Sequence, residues 1–456
     1  MKHLRLFPLL LAMAALTAAG CGDDGDGDNT PDGGGGGGCE TGSDGVVSET
    51  DDLITVAGEI TCEVTWTADK AIALDGLVFV ADGGKVNIEA GATVYGLANP
   101  TRGTTSALVV STTGSIDAQG TAEAPIVFTS SNPAGERASQ DWGGVALLGA
   151  ATINKGRLSD PTDPESHLIK GIEGIDPDDE RGIYGGTDDA HDCGTLRYVR
   201  IEFASAELSP DNELNGLTVA GCGSATTLEY IQVHRADDDG IEFFGGTASI
   251  NHALVSGVAD DGLDWDEGWR GEAHHIIVHK FSGIGDNGIE GDNSSENNDA
   301  QPRTNPKIEH MTLVGQGDGR GLLLRVGTGG RLSHFLVAGF GTNAEVRNQA
   351  TADIWNAPNG EGDELVIENS LFDGAAFNTE ASIVGFVFAD AIVEAALNNV
   401  VDSGVSVTDA SASAPDYAPN GDVDTGVASS LGGTYAGAID PAGTDWTAGW
   451  TAFPAD

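Results

Sequence analysis

Three acidic clusters recur in the middle of the chain: ADDDGIEFFGG over residues 236–246, ADDGLDWDEGW over 259–269 and GDNGIEGDN over 285–293. Each carries an Asp/Asn pair, a glycine, an aliphatic residue and then an acid. Carboxylates are hard oxygen ligands, and Ca2+ takes six to eight such oxygens. Asp239, Glu242, Asp261, Asp264, Asp266, Glu290 and Asp292 are therefore the candidate ligands of a Ca2+ site. The arrangement is not an EF-hand, because the D-x-D-x-D-G loop with its closing Glu is missing. Carboxylates about 5 Å apart would also suit the acid and nucleophile of a glycosidase. The plainer reading is that the Asp and Asn residues hydrogen-bond their own turns while the other acids form a solvated face. Trp269 and Arg270 follow the second cluster and are the candidate ligand contacts, with the indole as a sugar platform; Trp265 alternates into the core.

The elements that position these acids follow from their spacing. The clusters return every 22 to 26 residues, and a second column runs in phase with them: Leu196/Tyr198, Leu228/Tyr230, Ile250/His252, Ala273/His275, Ile308/His310, Leu332/His334 and Ile367/Asn369. A period of this length means stacked supersecondary units. Within each unit, short runs of strand formers such as TLEYIQV are broken by Gly, Asp and Asn, and no window sustains a helical apolar period. These features predict an all-β chain, a parallel β-helix forming one elongated domain with long loop insertions. Alternation puts Ile241, Leu263 and Ile289 inside and Glu242, Asp264 and Glu290 outside. Stacked at about 4.8 Å, neighbouring carboxylates repel by roughly 3 kcal/mol at an effective dielectric near 20. A cation, a shifted pKa or solvent must relieve that repulsion. The Tyr/His column could be a metal ladder, but a stack of rings is the reading favoured here.

The N-terminus is of another kind. Residues 1–20 have a basic start, an apolar run and small residues before Cys21, and resemble a bacterial lipoprotein signal. That resemblance implies cleavage before Cys21, acylation of that cysteine and a membrane anchor at the outer membrane or cell surface. Residues 21–52 then read as a tether of Gly, Asp, Ser and Thr with almost nothing to bury, and the domain is expected over 53–456. Export favours disulfides among the remaining four cysteines, with Cys39 and Cys62 as one candidate pair and Cys193 and Cys222 as the other.

The stretches VNIEAGATVYG, SIDAQGTAEAPIVFTS with DWGGVALLG, the repeated acidic turns and the closing YAGAIDPAGTDWTAGWT resemble secreted bacterial surface lipoproteins of the pectin-lyase-like right-handed β-helix family. The resemblance implies the fold; many members are uncharacterised, so it implies no reaction. Residues 156–193 read as a long polar insertion. Insertions over 292–305 and 349–363 would rise beside the acidic ladder and wall a groove. Residues 384–400 would add a last coil, and the segment 403–456, with Trp446 and Trp450, would cap the open end.

Charge excludes some partners. Asp and Glu number 71 against 21 Lys and Arg, a net −50. Such a chain repels nucleic acid and anionic lipid surfaces. The leading expectation is an anchored, monomeric module whose groove binds Ca2+ and through it a polysaccharide or surface protein. A polysaccharide lyase or glycoside hydrolase using the same groove is the alternative, although no known motif of either matches residue by residue. A structural envelope scaffold is the third.

Overall fold

The computed structural model describes residues 39–455, apart from 41, 210–211, 356–362 and 375. The leader, Cys21 and most of the tether lie outside the described residues. The coil over 227–248 shows how the sequence makes a solenoid. Leu228, Ile231, Val233, Ile241 and Phe243 point inward and are 2% exposed or less. The strand Thr227–His234 bends at Tyr230, whose φ is +55°. One left-handed residue thus turns a corner, and a single run of strand formers supplies two faces. The same corner is made by Tyr198, His252, His275, His310, His334 and Asn369, with φ between +48° and +60°.

Left-handed backbone costs a bulky residue roughly 1–2 kcal/mol, so something must offset it at the ring corners. Stacking does. Ring centroids step 4.4 Å from Tyr198 to Tyr230, 4.4 Å to His252, 4.6 Å to His275, 5.4 Å to His310 and 5.1 Å to His334. Each ring pair contributes about 0.5–1.5 kcal/mol beyond burial.

The coils stack into one 25-stranded, largely parallel sheet that winds as a right-handed β-helix. The first face holds residues 227–229 and their equivalents, and the second holds 231–234. The third holds Ile241–Phe244, Leu263–Asp266, Asn287–Gly291, Arg320–Leu324 and Thr342–Val346. Register is kept from coil to coil: Leu228 lies beside Leu196 and Ile250, and Glu242 beside Asp264. A continuous apolar core fills the interior.

Two faces carry apolar residues on their outer side as well, and each has its own cover. The insertion expected as a polar excursion folds into a three-stranded antiparallel sheet, Arg157–Leu158, Leu168–Gly171 and Ile183–Tyr184. Ile172, Ile175 and Tyr184 from this insertion pack on Phe79, Val109, Ala146, Leu148 and Phe244 of the third face. The C-terminal segment corrects the sequence reading further. Trp446 and Trp450 do not close the end of the solenoid; the segment runs back along its side, where Val407, Tyr417 and Ile439 cover Leu254, Ile277 and Val314 of the second face. At the C-terminal end Val400 bridges to Leu371, and Phe388, Ile392 and Leu397 join the inner core. At the other end, Asp44–Glu49 pairs antiparallel with Leu53–Ile60, so the fold begins within the stretch read as tether.

The structure joins Cys39 to Cys62 and Cys193 to Cys222. The second bond sits where the insertion re-enters the solenoid. Among the described residues no helix is long and apolar enough to cross a membrane.

The glycine of each acidic turn has a packing reason. A Cβ on Gly262 would stand 2.2 Å from Val278 and 2.7 Å from the Gly288 carbonyl, and Gly240 meets the same geometry one coil earlier. Gly262→Ala is expected to destabilise the chain by about 1–3 kcal/mol through overpacking. Urea unfolding would register this as a lowered midpoint at unchanged slope; an unaltered midpoint would mean that the coils can separate to make room.

Candidate metal centre on the third face

Two columns of side chains meet on the outer side of the third face. The first lies in the turn before each strand: Asn215, Asp239, Asp261 and Asn287. Its members bond up the stack, since Asp239 Oδ1 accepts from the Asp261 N–H at 2.8 Å and Asp261 Oδ1 from the Asn287 N–H at 2.6 Å. The second column lies on the strands, where register puts Glu242 beside Asp264 and Asp264 beside Glu290. Asn215 donates to Glu242 at 2.6 Å, and Asn287 to Asp261 at 3.2 Å and Glu290 at 3.4 Å.

Asp264 is at the centre. Oxygens of Asp239, Asp261 and Asp264 lie within 4.8 Å of one another, while Glu242 and Glu290 flank Asp264 in the ladder. Three of these acids are buried, Asp261 at 3% exposed, Asp239 at 6% and Glu290 at 9%, while Glu242 and Asp264 are half-buried. Asp264 Oδ1 is shut off from solvent and has no hydrogen-bond partner among the described residues. A buried oxygen left in that state costs about 1–3 kcal/mol, more if charged.

Electrostatics agree with the geometry. Burial, then the charges of Glu242, Asp239 and Glu290, push the Asp264 carboxyl well above its usual range. Burial and neighbouring acids do the same to Asp239 and Glu242. Glu290 is pushed up to about 8 by burial and Asp261, against the pull of Arg325. Burial raises Asp260 to about 6. The ammonium of Lys280 reaches in to the carbonyls of Val258 and Asp260, and burial lowers its pKa.

Asp266 and Asp292, also expected as ligands, are held by cations. Lys155 sits 3.5 Å from Asp266, and burial followed by the charge of Glu267 takes Asp266 to about 7. Arg325 bonds Asp292 at 2.9 Å and also pairs with Glu290. The structure thus brings together Asp239, Glu242, Asp261, Asp264 and Glu290, and ties Asp266, Asp292 and, through Arg325, Glu290 to side chains that compete with a metal.

Trp269 is a correction. Its ring is fully buried, stacks on Phe243 at 4.2 Å and donates from Nε1 to the Ala248 carbonyl at 2.8 Å, so it offers no platform for a sugar. Arg270 is taken up by Asp189, 3.2 Å from two of its nitrogens, and fastens the insertion. Residues not foreseen are Asn215, Lys155, Lys170 and Tyr184. Asn215 had a signal, because N-G-L-T over 215–218 is the acidic repeat with Thr in place of the acid. The other three had none; Lys170 and Tyr184 reach the fully buried Glu267 at 2.5 and 2.8 Å from a part of the chain without periodicity.

Beyond the ladder on the same face lies a hollow of about 310 Å3 lined by Asp286, Arg320, Thr342, Glu345 and Asn378. Arg320 spans it, bonded to Glu345 at 2.8 Å and to Asp286 at 3.1 Å, and touches the turn column at Asn287. The carboxylate group can hold a hard divalent cation, and the hollow beside it presents hydroxyl, amide, carboxylate and guanidinium groups to a polar ligand.

A family model described as a pectate-lyase like beta helix domain matches residues 58–451. No curated protein and no solved structure matches the chain.

The raised carboxyls fix a sign. A group whose pKa is higher folded than unfolded binds protons preferentially in the folded state, so stability rises as pH falls. In EDTA, urea unfolding is expected to show stability increasing from pH 8 to pH 6, the window set by Glu290, Asp266 and Asp260, and Glu290→Gln should flatten the trend. A parent protein equally stable across that window would mean that these carboxyls titrate normally.

Proposed function

Because this chain belongs to the pectate-lyase-like β-helix family, we propose that it is an exported, lipid-anchored carbohydrate-binding protein whose Asp264 cluster holds Ca2+. Family membership fits a carbohydrate-binding or polysaccharide-active role. The observation that carries the cation is the Asp264 oxygen, buried without a partner among like-charged neighbours. One divalent ion there would satisfy that oxygen and remove the mutual repulsion of Asp239, Glu242, Asp261, Asp264 and Glu290 together. With the ion bound, the hollow around Arg320 is the place for the glycan, whose hydroxyls would meet Asp286, Glu345, Thr342 and Asn378. The anchor rests on the leader pattern before Cys21.

Polysaccharide cleavage is the second reading, favoured by one observation: Arg320 and Glu345 stand side by side in an open hollow next to the cluster. Product formation from uronate polymers would distinguish it from binding alone.

The test is thermal unfolding of the chain carrying Cys21→Ser, in EDTA and in Ca2+. A ligand that binds only the folded state adds about 2.7 kcal/mol at one hundred times its Kd. The parent is expected to gain stability in Ca2+, and Asp264→Asn with Glu290→Gln to gain none while being the more stable of the two in EDTA. Equal response of parent and double variant would remove the cluster from consideration. Glycan retention that depends on Ca2+ and is lost in Arg320→Ala would support the hollow as the sugar site.

A further inference from the structure

The C-terminal segment lies on a bed of histidines. Along the ring column, Trp446 meets His252 edge-on at 5.0 Å, Tyr435 packs on His310 at 4.3 Å, and the Tyr435 hydroxyl is 3.5 Å from His275. His310 Nε2 is 2.6 Å from the Ser429 hydroxyl, and His334 Nε2 donates to the Val427 carbonyl at 2.9 Å. On the second face, His234 Nε2 donates to the Pro454 carbonyl at 3.1 Å, and His279 Nδ1 is 3.1 Å from the Tyr417 hydroxyl. Six of the chain's ten histidines therefore lie under one segment, most of them with a specific bond to it.

Neutral rings can make every one of these bonds. An imidazole that donates from Nε2 to a carbonyl keeps Nδ1 as an acceptor. Nδ1 of His252 and His310 is buried with no partner among the described residues. A proton there would create a buried donor with nothing to receive it, and two protonated neighbours in the column would stack like charges about 5 Å apart. Lifting the segment lets water reach the rings and removes both penalties.

We propose that residues 403–455 form an acid-released latch, seated at neutral pH on neutral imidazoles and freed when those rings are protonated. The surrounding charges do not reverse the direction. Asp440 and Glu309 face His275, Asp409 faces His279, and Glu309 also faces His310; all three acids favour the proton. Arg200 and Arg235 beside His234, and His274 beside His252 and His275, oppose it. Burial comes first at every one of these rings, holding His252 at about 3 and His234, His275, His279 and His310 at about 4. A histidine whose folded pKa is depressed contributes stability above its unfolded value of about 6.5, and that stability is lost as pH falls toward the folded value. Release bares Leu254, Ile277 and Leu336, which the segment now covers.

Hydrogen exchange by mass spectrometry on the full chain, corrected for intrinsic rates and stepped from pH 7 to pH 4, reads both parts separately. The expected result is that peptides of 403–455 lose protection between about pH 6 and pH 4 while strands of the third face keep theirs. Retention of protection at pH 4, or its simultaneous loss throughout the chain, would overturn the proposal. His252→Tyr with His275→Tyr extends the Tyr198–Tyr230 stack with rings that take no proton in this range. In that variant the transition should move to lower pH and become shallower, and an unmoved transition would exclude these histidines as its cause. Should the variant not fold, the parent's pH series decides alone.

Discussion

Parallel stacking in register is the constraint on which everything else in this protein depends. Once strand pairing aligns each coil with the next, a residue meets its own kind about 4.8 Å away. For Leu228 and Ile250 this yields a core. For Tyr230 and His252 it yields a ring stack that offsets left-handed corners. For Asp264 it yields repulsion, because Glu242 and Glu290 occupy the adjacent steps. One geometric rule therefore creates both the stability of the fold and the site of greatest electrostatic strain.

The covers decide what that strain becomes. Exposed to water, a column of acids would be screened and of little consequence. Here the insertion packs on the upper part of the third face and ties down Glu267, and Arg325 closes the lower part over Glu290 and Asp292. Between them the Asp264 group keeps its charge problem, with Asp264 Oδ1 shut off from water. The ring column and the second face show a related arrangement with bases in place of acids: a covering segment over buried ionisable rings, with unpartnered nitrogens in the column.

How much of this was legible depended on whether a feature repeats. The third-face acids, the ring column and the turn glycines recur once per coil, so the sequence shows each as a column, and alternation places Glu242, Asp264 and Glu290 on the outer side. Even Asn215 carried the pattern. What repetition does not encode was misread or unseen. Trp269 follows the acidic strand by position but turns inward to stack on Phe243, a choice made by the space above that ring. Lys170 and Tyr184 belong to a non-periodic insertion whose apolar residues are too sparse to announce a sheet, and Lys155 immediately precedes it. The path of the C-terminal segment was misread because its anchors, such as Gln232 with Ala452 and His234 with Pro454, join residues 220 positions apart. A terminal Trp-rich segment looks the same in sequence whether it closes an end or lies along a flank.

The returning segment also sets a length standard for the molecule. Stacked-repeat proteins gain and lose units easily, because each unit touches only its neighbours. In this chain, contacts at Val427, Ser429, Tyr435, Trp446 and Trp450 are matched in turn to His334, His310, His275, His252 and Tyr198, descending the column as the chain proceeds, before Pro454 reaches His234 on the second face. Duplicating or deleting a coil between Tyr198 and His334 would throw every later match out of step. The segment acts as a ruler laid against the solenoid. A change in coil number among the coils before Tyr198 would leave these matches in step.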